Sequence, residues 1–232
     1  MQKGEQMDNE RISNCWYKDV CTQDCTVNCI RYIEMKHLMD TSDIPENMQV
    51  PKLLEANGDY EAFCRLAEIK ENIVQFVQGG QNLYITSVHT GNGKTSWAIK
   101  LMLKYFDEVW AGNGLQTRGL FVHVPTFLLK AKDFKEPLSE EYKQALLDCD
   151  LVIWDDIASM GVSQYDFSQL LMYIDNRLLR SKSNIYTSNA TKDVLDTVLG
   201  GKLVSRIYNT AEVITFTGKD RRHINGSVAD NQ

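Results

Sequence analysis

Between residues 59 and 80 the apolar positions Phe63, Leu66, Ala67, Ile69, Ile73, Val74, Phe76 and Val77 recur near helical spacing behind a capping Asp59, and Gly79 and Gly80 close the pattern. The rhythm then changes. Short apolar runs bounded by polar or glycine residues predict strands at 83–88, 120–124, 151–154, 184–187 and 213–216. Helical patterns separate them at 94–106, 126–132 with 139–148, 165–181 and 191–209. Strands alternating with helices predict an α/β fold with a five-stranded parallel sheet covered on both faces, and such sheets bind ligands beyond the carboxyl ends of their strands. Residues 1–51 lack this alternation. They are polar and Cys-rich, and they run into a stretch containing Pro45 and Pro51, so an N-terminal module over 1–51 and a main domain over 52–232 are expected.

Composition narrows the functional classes. The 232 residues are 43% hydrophobic and 24% charged, which suits a folded chain with a sizeable core and excludes a disordered or low-complexity one. The formal charge of -6 argues against a protein that coats nucleic acid through bulk charge, so any nucleic-acid contact must be local. The longest stretch without Asp, Glu, Lys or Arg, 72–93, is interrupted too often by Gln, Asn and Gly to span a bilayer, and the first residues carry no apolar run. A cytoplasmic location is expected.

The strongest chemical signal follows the first strand. There Thr90, Gly91, Asn92, Gly93, Lys94, Thr95 and Ser96 lead into a helix. Strand, glycine-rich turn, Lys-Thr and helix are the parts of a phosphate cradle. The glycines let backbone N–H groups turn inward, Lys94 can reach the outer phosphates of ATP, and Thr95 can place its hydroxyl on Mg2+. Val88 stands where the full G-x-x-x-x-G-K-[ST] pattern has its first glycine. The third strand runs into Asp155 and Asp156. Two like charges at the edge of a buried strand call for a cation, which assigns Asp155 to magnesium and Asp156 to orienting the attacking water; the alternative is an Asp-Asp turn that caps the next segment.

Taken together, TGNGKTS, LVIWDDI, IYTSN, LVSRI, the closing FTGKDRRH and the Cys-rich start resemble the AAA+ replicative helicase loaders of the DnaC and DnaI type, especially the bacteriophage-encoded ones. That resemblance covers most of the chain. It implies a P-loop ATPase core without a C-terminal helical lid, in keeping with the sixteen residues that follow Phe216. It also implies that Asn189 positions water from the end of the fourth strand and that Arg206 reaches the nucleotide of a neighbouring subunit, making Lys94, Asp155, Asp156, Asn189 and Arg206 the catalytic set. The competing reading makes Arg206 a surface arginine on a solvated helix face, with Arg177 and Arg180 also available. Asp156, shorter than the family's usual Glu, suggests slow hydrolysis, stimulated by assembly or by single-stranded DNA. Lys219, Arg221, Arg222 and His223 are candidate late contacts to nucleotide or DNA, or a basic tail. The implied partners are a hexameric replicative DNA helicase, single-stranded DNA and further copies of the chain in the bacterial host's cytoplasm. A transposition-helper ATPase of the IstB type and a non-hydrolysing nucleotide-binding adaptor are the competing readings.

Two further groups invite assignment. Cys15, Cys21, Cys25 and Cys29 lie close in sequence, with His37 in reserve. On a straight helix Cys21 and Cys29 would be about 12 Å apart along the axis, whereas tetrahedral Zn2+ needs sulfurs about 4 Å apart. A turn-rich path around structural zinc is therefore expected, with buried thiols or an iron-sulfur cluster as alternatives. In 125–135, Phe127, Lys130, Lys132, Phe134 and Lys135 combine stacking rings with phosphate-seeking ammonium groups, and the resemblance places single-stranded DNA here. Phe127 could equally pack into the core while the lysines solvate the outer face.

Overall fold

The computed structural model describes residues 15–21, 29–50, 54–56, 58–109, 116–133, 135–158, 161, 163–218 and 220. Cys25, Phe134, Lys219, Arg221, Arg222 and His223 lie outside them.

Five strands form one sheet: β1 (Asn82–Thr86), β2 (Gly119–His123), β3 (Leu151–Asp155), β4 (Ser183–Ser188) and β5 (Ala211–Thr215). Their order is β2-β3-β4-β1-β5, with every neighbouring pair parallel. The expected α/β architecture is therefore present. Among the described residues eight α-helices accompany the strands: α1 (Ile30–Asp40), α2 (Tyr60–Glu71), α3 (Ile73–Gln78), α4 (Lys94–Val109), α5 (Val124–Ala131), α6 (Glu140–Asp148), α7 (Gln164–Leu179) and α8 (Lys192–Thr210). None is long and apolar enough to cross a membrane.

Strand pleating sends alternate side chains to opposite faces, and both faces are dry. Leu83, Ile85, Phe121, Ile153 and Ile185 pack beneath α1 to α4. Tyr84, Leu120, Val122, Trp154 and Tyr186 pack beneath α5 to α8. Arg177, on α7, is fully buried at one end of this second layer, where it donates to the carbonyls of Leu146, Cys149 and Ser183 and to Asn184 Oδ1, at 2.9, 3.0, 2.7 and 2.8 Å. A guanidinium saturated in this way ties α6, α7, β3 and β4 together and is unavailable to a neighbouring subunit. Arg180 is spent on the surface, 2.7 Å from Asp148.

The N-terminal residues do not build a metal centre from what is described. Among the described residues no group of three or more His, Cys, Asp or Glu side chains is gathered as a metal would require, which removes support for a zinc domain held by Cys15, Cys21 and Cys29. The physical reason is that this segment finds its burial elsewhere. Tyr17, Met35, Leu38, Met39 and Ile44 join the core cluster of α4, with Cys15 and Cys21 packed against it. Burying each large apolar side chain is worth about 1.5–3 kcal/mol, a source of stability that needs no ion. Arg31 covers the Tyr17 ring at 3.6 Å and lies 3.6 Å from Asp107 of α4. The amide of Phe121 on edge strand β2 donates to the carbonyl of Ser42 at 2.7 Å.

Candidate nucleotide site

β1 ends at Thr86, two residues before the predicted end; the Ser87 amide still reaches Ser188 O of β4 at 3.2 Å, while its hydroxyl turns to the loop. Ser87 Oγ accepts from the His89 amide at 3.0 Å and from Asn92 Nδ2 at 2.6 Å. Gly91 and Gly93 sit at φ 69° and 99°, where a side chain would be strained. Val88 is 64% exposed, so the residue that replaces the pattern's first glycine holds its side chain off the loop. α4 then begins at Lys94, presenting first-turn amides and the positive end of the helix to the turn.

Lys94 is only 6% exposed, and its ammonium donates to the loop's own oxygens, His89 O at 2.9 Å and Asn92 Oδ1 at 3.0 Å. Thr95 Oγ1 donates to Asp155 Oδ1 at 2.7 Å. β4 lies between β1 and β3 and supplies Thr187, whose hydroxyl reaches the same Asp155 oxygen at 2.7 Å. Burial raises the Asp155 carboxyl above the ordinary range, with repulsion from Asp156 adding to it, while the two hydroxyls pull the other way. Asp156 adopts φ 59°, a left-handed conformation that costs a non-glycine residue about 1–3 kcal/mol and tends to be kept at functional sites. Its amide donates to Thr187 Oγ1 at 3.0 Å, and its Oδ1 accepts from Asn189 Nδ2 at 3.4 Å. The structure thus brings together Lys94, Thr95, Asp155, Asp156 and Asn189. Ser96 follows Thr95 in the first turn of α4 and is half-buried.

A second connection closes over the loop from the segment after β5. Asn92 Nδ2 also donates to Gly218 O at 3.4 Å, and Thr90 Oγ1 donates to Asp220 Oδ2 at 3.4 Å. Asp59, expected to cap α2, makes no side-chain cap; its carboxylate instead accepts from Thr217 N at 2.6 Å and Gly218 N at 3.0 Å. Thr187, Ser87 and Asp59 are thus the site residues that pattern reading missed. The serine stands beside the recognised motif and Thr187 two residues before Asn189, so position could have flagged both; nothing local marks Asp59.

Two other groups fare differently. Arg206 is half-exposed on α8 and pairs with Asp175 of α7 at 2.7 Å. Phe127 is 3% exposed and meets Trp154 and Tyr173 edge-on at 6.2 and 5.8 Å, so it is a core residue and cannot stack on a base. Lys132 is engaged too, 2.7 Å from Asp166, which closes the capping box of α7. Lys130 and Lys135 remain exposed.

No family model matches the sequence, and no curated protein matches it. Solved structures do share the fold. The DnaC helicase loader aligns with a TM-score of 0.60 at 18% identity, over 78% of this chain and 99% of that one. A putative primosome component from Streptococcus pyogenes serotype M3 gives 0.60 at 19% identity, over 80% and 98%. The replication initiator DnaA bound to AMPPCP and single-stranded DNA gives 0.54 at 17% identity, over 72% and 48%. At these identities the similarity is one of fold.

Proposed function

We propose that the chain is an ATP-dependent helicase loader, which assembles on ATP and places a hexameric replicative helicase on single-stranded DNA as replication begins. The observation that carries this reading is the convergence of Thr95 and Thr187 on one oxygen of Asp155 at the mouth of a glycine loop that holds Lys94. The residues fit Mg-ATP. Lys94 satisfies its charge on loop oxygens that phosphate oxygens could replace, and Asp155, raised by burial, sits where a divalent cation would relieve it. The shared fold with a loader and with an initiator that binds AMPPCP and single-stranded DNA supports the same reading.

Mg-ATP would supply the phosphoryl group whose transfer to water drives release from the helicase. The chain's own residues hold and orient. Lys94 and the first-turn amides of α4 set positive charge around the loop, and Thr95 and Asp155, now hydrogen-bonded to each other, would hold the cation. Asp156 orients the water, with Asn189 fixing the acid through its amide. Arg206 would leave Asp175 to neutralise charge in a neighbouring subunit's site, making hydrolysis depend on assembly.

The test is titration calorimetry with Mg-ATP on the parent and Lys94→Ala, followed by turnover with and without single-stranded DNA and affinity capture from a bacterial lysate. Binding by the parent only, stimulated turnover and recovery of the replicative helicase are expected. Absence of Mg-ATP binding by the parent would overturn the reading; binding without turnover would point to a nucleotide-binding adaptor.

A further inference from the structure

The carboxylate of Asp59 stands at the N-cap position of α2, where such a group ordinarily accepts from first-turn amides, yet it makes no such bond. It is 4% exposed and aims both oxygens at a segment more than 150 residues away in sequence. Oδ1 accepts from Thr217 N at 2.6 Å, Thr217 Oγ1 at 3.0 Å and Gly218 N at 3.0 Å, and Oδ2 accepts from Gly218 N at 3.1 Å. One buried acid therefore clamps the residues that follow β5.

The clamp leads to the phosphate loop. Gly218 presents its carbonyl to Asn92 Nδ2 at 3.4 Å, and Ser87 Oγ takes the same amide nitrogen at 2.6 Å. The Gly218 carbonyl can only accept and the Lys94 ammonium can only donate, so together they set the amide one way, Nδ2 to Gly218 and Oδ1 to the ammonium at 3.0 Å. Asn92 is fully buried, so a rotated amide would set its nitrogen against the ammonium with no water to compensate. Asp59, Gly218, Asn92 and Lys94 form a continuous polar chain from the start of α2 to the cation of the loop.

We propose that Asp59 is a positioning residue of the nucleotide site: by clamping Thr217 and Gly218 it fixes the Asn92 amide and, through it, the Lys94 ammonium. This rests on the reading of the loop as a Mg-ATP site. Thr217 and Gly218, which follow β5, thereby become structural parts of that site through Asn92.

The experiment is a double-mutant cycle on Mg-ATP affinity in the full chain, using Asp59→Ala, Asn92→Ala and the pair, with Asp59→Asn as the conservative variant that keeps an acceptor oxygen. Asp59→Ala should weaken Mg-ATP about tenfold, the scale of one hydrogen bond. The double variant should bind no more weakly than Asn92→Ala alone, because both act through one chain. Asp59→Asn should fall between parent and Asp59→Ala, and it carries the cycle if the alanine variant does not fold. An Asp59 that serves only the fold would lower the melting temperature while leaving affinity unchanged, or would multiply with Asn92→Ala; either result overturns the proposal. A parent that fails to bind Mg-ATP overturns the underlying reading, an outcome visible before any variant is compared.

Discussion

Thr187 on β4 donates its hydroxyl to Asp155 on the neighbouring β3 at 2.7 Å. The contact lies one residue beyond the last paired position of the two strands, Trp154 with Tyr186, where the ladder gives way to the site. The same hydroxyl oxygen accepts from the Asp156 amide at 3.0 Å, so a single threonine orders both acids. Thr187→Val keeps the shape and removes both bonds. A lost hydrogen bond to a charged group costs about 1.5–3 kcal/mol, so ATP turnover should fall roughly 10- to 100-fold, and Thr187→Ser should recover most of it. Steady-state turnover of the three proteins checks this.

Burial of Asp155 gives a stability prediction with a definite sign. Its folded carboxyl titrates above the ordinary range, so the folded chain holds the proton more tightly than the unfolded one. The stability linked to that proton is complete in acid below the unfolded value and is lost as pH rises through it to the folded value. At neutral pH the ionised group is a liability. Asp155→Asn should therefore melt higher than the parent at neutral pH, lose that advantage on acidification and show no turnover. Melting curves across this pH range are the measurement, and an equal or lower melting temperature at neutral pH would count against the account.

The two arginines of the second layer should separate stability from activity. Arg177 satisfies several buried acceptors, each worth about 1–3 kcal/mol if abandoned, so Arg177→Ala should lose about 3 kcal/mol or more and Arg177→Lys should restore little. Arg206 has a half-exposed pairing with Asp175, a class worth less than about 1 kcal/mol. Arg206→Ala should therefore unfold at nearly the parent's urea concentration while losing assembly-dependent turnover.

In the 125–135 segment any DNA contact must run through lysine. Phe127→Ala should cost about 3–5 kcal/mol as a core truncation, and the milder Phe127→Leu should fold and bind an oligonucleotide like the parent. Lys130→Ala with Lys135→Ala should weaken binding and reduce its salt dependence, by about 0.7 per lost phosphate contact. Fluorescence anisotropy at several salt concentrations distinguishes these cases.

What could be read from the amino acids followed from the range of the interactions involved. The phosphate loop is a contiguous pattern, and the five strands are short apolar runs between polar breaks; both were recognisable, with strand ends displaced by up to two residues. β1 stops at Thr86 although the Ser87 amide still donates to Ser188 O of β4 at 3.2 Å, and beyond it the Ser87 hydroxyl serves the loop through Asn92. Asp59 read as a helix cap because its local setting is that of one, while its true partners, Thr217 and Gly218, are remote in sequence. Phe127 looked available beside lysines because helical spacing leaves open which face is covered, and the covering residues Trp154 and Tyr173 come from β3 and α7. The cysteine spacing suggested an ion, but the thiols of Cys15 and Cys21 are packed against the α4 layer.

The way α1 lies on α4 has a practical corollary. Met35, Leu38 and Met39 pack into the α4 side of the core, and Ser42 hydrogen-bonds the outer margin of β2. A fragment started near residue 52, the expected start of the main domain, would present a bare greasy patch and an uncovered strand border. Such a piece should clump at concentrations where the whole chain stays dispersed.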